Sequence, residues 1–189
     1  MKNPESFKAG QKAHFQFEII TSSGKTLTPD DIVVSHTERI HLMLVDESLE
    51  DYHHIHPQPI GNTGEWQASF TPRKSGSYQL YFDFISLQGV RRTLLHHEFH
   101  VDGTPDKPVL SEKLQTNYAG HTFELSFPDE QLKVEQSTLL TFKTQDPRAV
   151  QLEKVMGAIA HIAIFDPYRT GFAHLHPAYP VDPCQKTHK

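Results

Sequence analysis

The chain has 189 residues, 37% of them hydrophobic and 22% charged, which is enough apolar sequence for a packed core and argues against general disorder. Its net charge is −5 and it has no basic block, so a nucleic-acid-binding surface is not expected. No apolar run approaches the ~18–20 residues that a membrane-spanning helix needs, so no transmembrane segment is expected. Histidine is the unusual residue, with 14 copies against 18 lysines and arginines together.

Strand patterns dominate the first hundred residues. Residues 13–19 alternate polar and apolar side chains with a period of two. Further short segments, rich in β-branched and aromatic residues, cover residues 39–45, 66–70, 77–84 and 97–101, and residues 29–32 fit a single helical turn. We predict an antiparallel β-sandwich of about seven strands over residues 10–103, which is the size of an immunoglobulin-like module.

A segment containing Gly and Pro follows and predicts a linker over residues 104–117. Strand patterns resume at residues 122–127, 137–144 and 158–165. We therefore predict a second β-sandwich module over residues 118–189. The predicted fold class is all-β, with two tandem modules.

The two halves share a repeat that is rich in histidine. Residues 41–57 (HLMLVDESLEDYHHIHP) align without gaps with residues 161–177 (HIAIFDPYRTGFAHLHP). Five pairs are identical: His41/His161, Asp46/Asp166, His54/His174, His56/His176 and Pro57/Pro177. Such a match in identical register indicates a duplicated module.

The spacing of these histidines fits a metal site. Side chains alternate along a strand, so His54 and His56 project to the same side while Ile55 points away. If the chain returns antiparallel, His41 lies beside this pair, and three imidazoles with an open position suit Zn²⁺ or a copper ion. The candidate ligands are His41, His54 and His56 in the first copy and His161, His174 and His176 in the second.

A structural role for the same motif stays open. A His-x-His-Pro turn can hydrogen-bond to backbone carbonyls without metal, and duplication copies a folding motif as faithfully as a ligand set. Asp46 and Asp166 are expected to cap a turn after the strand through Asx-type hydrogen bonds rather than to bind metal.

The other histidines carry less information. His96, His97 and His100 fall on one predicted strand and are expected to face solvent, although an accessory site there stays open. His53 has no counterpart, because the second copy has Ala173 at the aligned position, and it is expected at the surface. The single cysteine, Cys184, is expected to be a tail thiol, although as a soft ligand it would favour copper. Four further histidines have no spacing partner: His14, His36, His121 and His188.

Catalytic motifs are not found in the sequence. It has no Gly-rich phosphate loop, nucleophile elbow or His-Glu-x-x-His helix. We therefore expect a binding protein rather than an enzyme, with a metal-dependent enzyme as the weaker alternative.

The histidine-led strand followed by His-x-His-Pro resembles a family of bacterial tandem immunoglobulin-like, cupredoxin-like β-sandwich modules. The segments that carry the resemblance are Trp66, residues 70–72, 75–78 and 81–84, and, in the second copy, residues 155–161. Some members are associated with copper or other heavy-metal handling, and they are secreted or membrane-anchored. The resemblance implies a periplasmic or secreted protein, but the N-terminus lacks the apolar region of a signal peptide, so a cytoplasmic location stays open.

The second module is expected to be incomplete. Residues 58–101 follow the motif in the first copy, but only residues 178–189 follow it in the second. An open sandwich exposes sheet edges and apolar side chains, so we expect either a truncated chain or completion by a protein partner or a second copy.

The sequence thus predicts a copper- or zinc-binding protein that carries, buffers or senses the metal through duplicated His-x-His motifs. The alternative is a non-catalytic interaction module in which the motif is structural.

Overall fold

The computed structural model describes residues 6–88, 92–105, 113–128, 132–145, 153–155 and 158–177. Within these residues the chain consists of β-strands and one 3-10 turn at Pro29–Asp31, so the predicted all-β fold is confirmed. The strands are β1 (Phe7–Lys8), β2 (Ala13–Glu18), β3 (Ile32–Val33), β4 (Ile40–Asp46), β5 (Tyr52–Ile55), β6 (Gln58–Pro59), β7 (Glu65–Phe70), β8 (Gly76–Ser86), β9 (Arg92–Asp102), β10 (Gln115–Tyr118), β11 (His121–Ser126), β12 (Thr141–Thr144), β13 (Ile162–Phe165) and β14 (Phe172–Leu175).

Two sheets build the first module. The larger has the order β1-β9-β8-β4-β5, with β3 also paired to β8, and the smaller has the order β2-β7-β6. In β2, Ala13, Phe15 and Phe17 are buried while the residues between them are exposed, as the period of two predicts. These side chains pack with Trp66 and with apolar residues of the larger sheet in a single core.

β4 is buried along its whole length because both of its faces are covered. Ile40, Leu42 and Leu44 point into the core between the two sheets. Met43 and Val45 point to the outer face of the larger sheet, where they belong to a second, smaller apolar cluster.

The β13–β14 hairpin covers this outer face. The ring of Phe172 stacks on Tyr81 at 4.8 Å, and the ring of Phe165 lies 5.3 Å from Tyr81. The Tyr81 hydroxyl donates to the backbone carbonyl of Arg169 (2.6 Å), and the Arg169 guanidinium donates to the carbonyl of Ser77 (2.9 Å). These contacts hold the second histidine motif against the first module.

The compact units follow these contacts. Residues 1–109 together with 155–189 form one unit, and residues 110–154 form the other. The C-terminal hairpin therefore groups with the first module, whereas the sequence assigned it to a module over residues 118–189. The proposed linker over residues 104–117 stays a prediction.

The second unit contains an antiparallel three-stranded sheet of order β10-β11-β12. Phe142 stacks on Phe123 at 5.6 Å and is still 54% exposed. The expectation that a protein partner or a second copy covers apolar surface in the second half stays a prediction.

Two strands begin later than the sequence predicted. β12 begins at Thr141 rather than at residue 137, and β13 begins at Ile162 rather than at residue 158. For β13 the reason is a tight turn: the backbone N–H of Val155 donates to the carbonyl of Ala158 (2.8 Å), so the chain reverses just before the strand. No helix among the described residues is long and apolar enough to cross a membrane.

Candidate metal centre

The first histidine triad forms on the outer face of the larger sheet. β4 and β5 pair antiparallel with Leu42 opposite Ile55, and these two side chains face the core. The histidines next to them in sequence therefore share the opposite face. Nδ1 of His41 lies 3.1 Å from Nε2 of His54 and 3.2 Å from Nε2 of His56. The predicted return of the chain beside the His-x-His pair is confirmed.

A backbone carbonyl fixes the orientation of His41. Its Nε2 lies 3.0 Å from the carbonyl oxygen of Ser35. A carbonyl can only accept, so Nε2 carries the proton and the Nδ1 lone pair faces the other two imidazoles. Ser35 and Glu38 close a tight turn, in which His36 and Thr37 both adopt positive φ angles of 50° and 75°. Non-glycine residues seldom adopt this conformation, and it is concentrated at functional sites.

The second triad repeats this arrangement. Nδ1 of His161 lies 3.2 Å from Nε2 of His174 and 3.0 Å from Nε2 of His176. Nε2 of His161 donates to the carbonyl of Val155 (2.9 Å), the residue that corresponds to Ser35. The repeat thus extends to the turn before the strand and to the carbonyl that orients the first histidine.

The equivalent positions of Asp46 and Asp166 in the two repeats also have a structural explanation. The Asp46 carboxylate accepts backbone N–H groups two, four and five residues later, at 2.9–3.1 Å. The Asp166 carboxylate accepts N–H groups two and five residues later. Both side chains cap the turn after the strand, so the prediction for these two residues is confirmed.

The two triads lie side by side because the β13–β14 hairpin sits on the outer face that carries the first triad. The ring centroid of His174 is 5.3 Å from that of His41 and 5.1 Å from that of His54. One nitrogen from each of His54, His161 and His174 also lies within 4.8 Å of the others. All six predicted ligands therefore lie in one cluster, whereas the sequence analysis predicted two separate sites.

Asp83 supports the second triad from the neighbouring strand β8. Its side chain is buried, and its Oδ2 lies 2.9 Å from Nδ1 of His174. A carboxylate accepts this hydrogen bond, so His174 carries a proton on Nδ1 and turns Nε2 towards the other imidazoles. The carboxylate–histidine pairing is common behind metal-binding imidazoles.

The second triad places two ring nitrogens face to face. Nε2 of His174 and Nδ1 of His161 lie 3.2 Å apart, and each ring uses its other nitrogen to donate to oxygen. A metal ion can bind between these two nitrogens.

The electrostatics of the cluster favour neutral imidazoles. Burial, reinforced by neighbouring histidines, lowers the pKa of His54 to about 3. Burial likewise lowers the pKa of His41 to about 4, although the Ser35 carbonyl opposes the change. Burial also lowers the pKa of His56 and of His161. These groups are therefore unprotonated at neutral pH, which is the state that binds metal.

The spacing of the nitrogens fits a transition-metal ion. Imidazole nitrogens bound tetrahedrally at ~2.0–2.1 Å lie about 3.3 Å from one another. The two short nitrogen–nitrogen distances are 3.1 and 3.2 Å in the first triad and 3.0 and 3.2 Å in the second. Two groups of histidines could hold a metal ion, one formed by His41, His54 and His56 and the other by His54, His161 and His174.

Comparison with known proteins places the chain in a family defined by sequence. A family model described as Domain of unknown function (DUF8832) matches residues 1–103 and 116–189. The chain belongs to this family. The comparisons with curated proteins and with solved structures found no match.

Sequence reasoning missed two residues of the cluster. Asp83 lies directly opposite His41 across β4 and β8, but no spacing rule links it to the repeat. The ring of His36 stacks on His176 at 3.9 Å, although the sequence offered no partner for it. Its position three residues before the start of the predicted strand at residue 39 was the only available signal.

The remaining histidines lie away from these contacts. His96, His97 and His100 are exposed on β9, as predicted. The prediction of a surface position for His53 is wrong: its side chain is 18% exposed, and its Nε2 lies 2.9 Å from Oδ1 of the buried Asp51. Cys184 and His188 lie outside the described residues.

Proposed function

We propose that this protein binds a transition-metal ion, copper or zinc, through the duplicated histidine motifs, and that it carries, buffers or senses the metal rather than using it for turnover. The ligands are His41, His54 and His56 in the first triad. In the second they are His161, His174 and His176.

The observation that supports this proposal best is the pair of facing imidazole nitrogens in the second triad. His161 lies against the Val155 carbonyl through one nitrogen and His174 against Asp83, and the other nitrogens of the two rings face each other 3.2 Å apart. Two imidazole nitrogens at this separation are placed as two ligands of one metal ion would be.

The donor set favours copper or zinc over harder ions. Imidazole nitrogen suits zinc and copper, whereas magnesium and calcium prefer oxygen ligands. A triad leaves one tetrahedral position open. This open position allows a ligand from another molecule to take the metal, which suits a carrier.

Metal content and titration test the proposal. The full chain, purified without a histidine tag, is analysed for metals and then titrated with Cu²⁺ and with Zn²⁺ in separate experiments. We expect uptake by the parent protein. We expect a loss of affinity at the first triad of at least about 100-fold in the His54→Ala/His56→Ala variant, which is more than the loss of an outer hydrogen-bond partner causes.

The matched control is the His97→Ala/His100→Ala variant, which removes two exposed histidines outside the cluster. It should bind as the parent does. The proposal fails if the parent takes up neither metal, and a His54→Ala/His56→Ala variant that also unfolds would then favour the structural role. Turnover of candidate substrates by the loaded protein would favour the enzyme instead.

A further inference from the structure

The distances between the two triads are similar to the distances within each triad. Ring centroids of His41 and His54 are 5.3 Å apart within the first triad. Across the repeats, His54 lies 5.1 Å from His174 and 5.4 Å from His161. His54 thus belongs to two groups that could hold a metal, one with its own triad and one with the second repeat.

We propose that the two triads form a single dinuclear centre, in which two metal ions bind close together between the first module and the β13–β14 hairpin. This inference rests on the proposed function and specifies the arrangement of its sites. Each ion takes the three imidazoles of one repeat. His54 and His174 line the space between the two ions.

The geometry of each triad defines its own ion position. In both repeats Nδ1 of the first histidine is the common neighbour of two Nε2 atoms, at 3.0–3.2 Å. Two such three-nitrogen sets pack ring against ring. The ring centroid of His54 lies 5.1 Å from that of His174 and 5.4 Å from that of His161. For comparison, two-metal sites in proteins hold their ions about 3.5–4 Å apart.

Two contacts outside the triads hold the β13–β14 hairpin against the first module. The stacked ring of His36, from the turn before β4, reaches His176 in the second repeat. Asp83, on the first module, accepts from His174 on the hairpin. The second triad is therefore positioned partly by residues of the first module, as a shared centre requires.

The charges of the cluster predict stepwise filling. The six imidazoles carry no charge when they are neutral. Among the described residues, the carboxylate that hydrogen-bonds to a histidine of the triads is Asp83, which contacts His174. Two divalent ions that bind in one cluster repel each other, so the second ion binds more weakly than the first. A titration should resolve two steps.

A copper titration followed by electron paramagnetic resonance tests whether two ions bind close together. The full, untagged chain is loaded with one and then two equivalents of Cu²⁺. We expect two bound ions and, at the second equivalent, dipolar broadening with a half-field transition, which arises only when two copper spins lie within a few ångströms. The His56→Ala and His176→Ala variants should each retain one ion with an uncoupled spectrum.

Controls keep the outcomes separate. The His100→Ala variant should show the coupled spectrum of the parent, and fluorescence of the buried Trp66 checks that every variant is folded. Two uncoupled ions overturn the dinuclear centre. A stoichiometry of one bound ion per chain also overturns the dinuclear centre, and it is the result expected if His54, His161 and His174 bind one ion together. Both results leave the proposed function standing, whereas no uptake overturns both proposals.

Discussion

Three imidazoles of the cluster are each oriented by a hydrogen bond from the ring nitrogen that faces away from the other histidines. The carbonyls of Ser35 and Val155 take the Nε2 protons of His41 and His161. Asp83 takes the Nδ1 proton of His174. These hydrogen bonds fix which nitrogen of each ring faces the cluster, and they are made to residues that do not belong to the His-x-His motif.

We predict that Asp83→Asn weakens metal binding at the second triad. The amide keeps the shape of the side chain but removes the negative charge behind His174, and losing such a partner typically costs 10–100-fold in affinity. The measurement is a Zn²⁺ titration in the His56→Ala background, where the first triad is disabled.

The matched control is Asp30→Asn, which changes an exposed aspartate that accepts from Asn62. It should leave the affinity unchanged. An equal affinity in the Asp83→Asn variant would show that the carboxylate does not act on the metal through His174.

At the scale of elements, one strand–turn–strand unit occurs twice with the same register. Met43 faces His54 in β4–β5 as Ala163 faces His174 in β13–β14. The first copy is fixed in the middle of a sheet, because β4 also pairs with β8 along its length. The second copy is held by side-chain contacts with the first module, so its position depends on residues such as Phe172 and Tyr81.

We predict that Phe172→Ala loosens the β13–β14 hairpin without unfolding the first module. The change removes the ring that stacks on Tyr81, and for a half-buried ring we expect a cost of about 2 kcal/mol, below that of a fully buried one. Hydrogen exchange of β14 amides should become about 30-fold faster, while β4 amides keep their rates.

The control for this experiment is Tyr168→Ala at the tip of the same hairpin, where the side chain is 85% exposed. It should leave exchange in β14 unchanged. Equal acceleration in β4 and β14 would mean that the hairpin and the sandwich open together.

At the scale of the whole molecule, the buried neutral histidines link stability to pH. His41 and His54 have pKa values of about 4 and about 3 in the folded chain, against an ordinary value of 6.5. Between these values the unfolded chain binds protons that the folded chain does not. The free energy of unfolding must therefore fall as the pH drops below 6.5.

We predict that the urea midpoint of the metal-free protein decreases steadily from pH 7 to pH 4.5, followed by Trp66 fluorescence. The buried Asp51 does not cause this decrease. Although burial opposes the change, hydrogen bonds from Tyr78 and Arg73 lower the pKa of its carboxyl group to about 2. The stability that the Asp51 carboxylate contributes is therefore lost only below pH 3.8, the ordinary pKa of an aspartate. A His41→Gln/His54→Gln variant should show a flatter dependence. An unchanged slope in this variant would assign the effect to other groups.

Local patterns in the sequence were sufficient for the five longer strands of the first module, which are β2, β4, β7, β8 and β9, and for each triad. The alternation of β2, the Asx caps at Asp46 and Asp166, and the meeting of His41 with the His-x-His pair all depend on neighbours in sequence or on a single antiparallel return. Side-chain alternation and turn chemistry determine such features, and both can be read from residue order.

Only the tertiary structure joined the two triads. The hairpin docks on the first module through apolar side chains about 90 residues apart in the chain, such as Tyr81 and Phe172, and periodicity contains no information about which apolar faces meet. The same packing brings Asp83 to His174 and His36 to His176. The sequence by itself determined two histidine triads; the burial of one apolar face by another decided that they form one cluster.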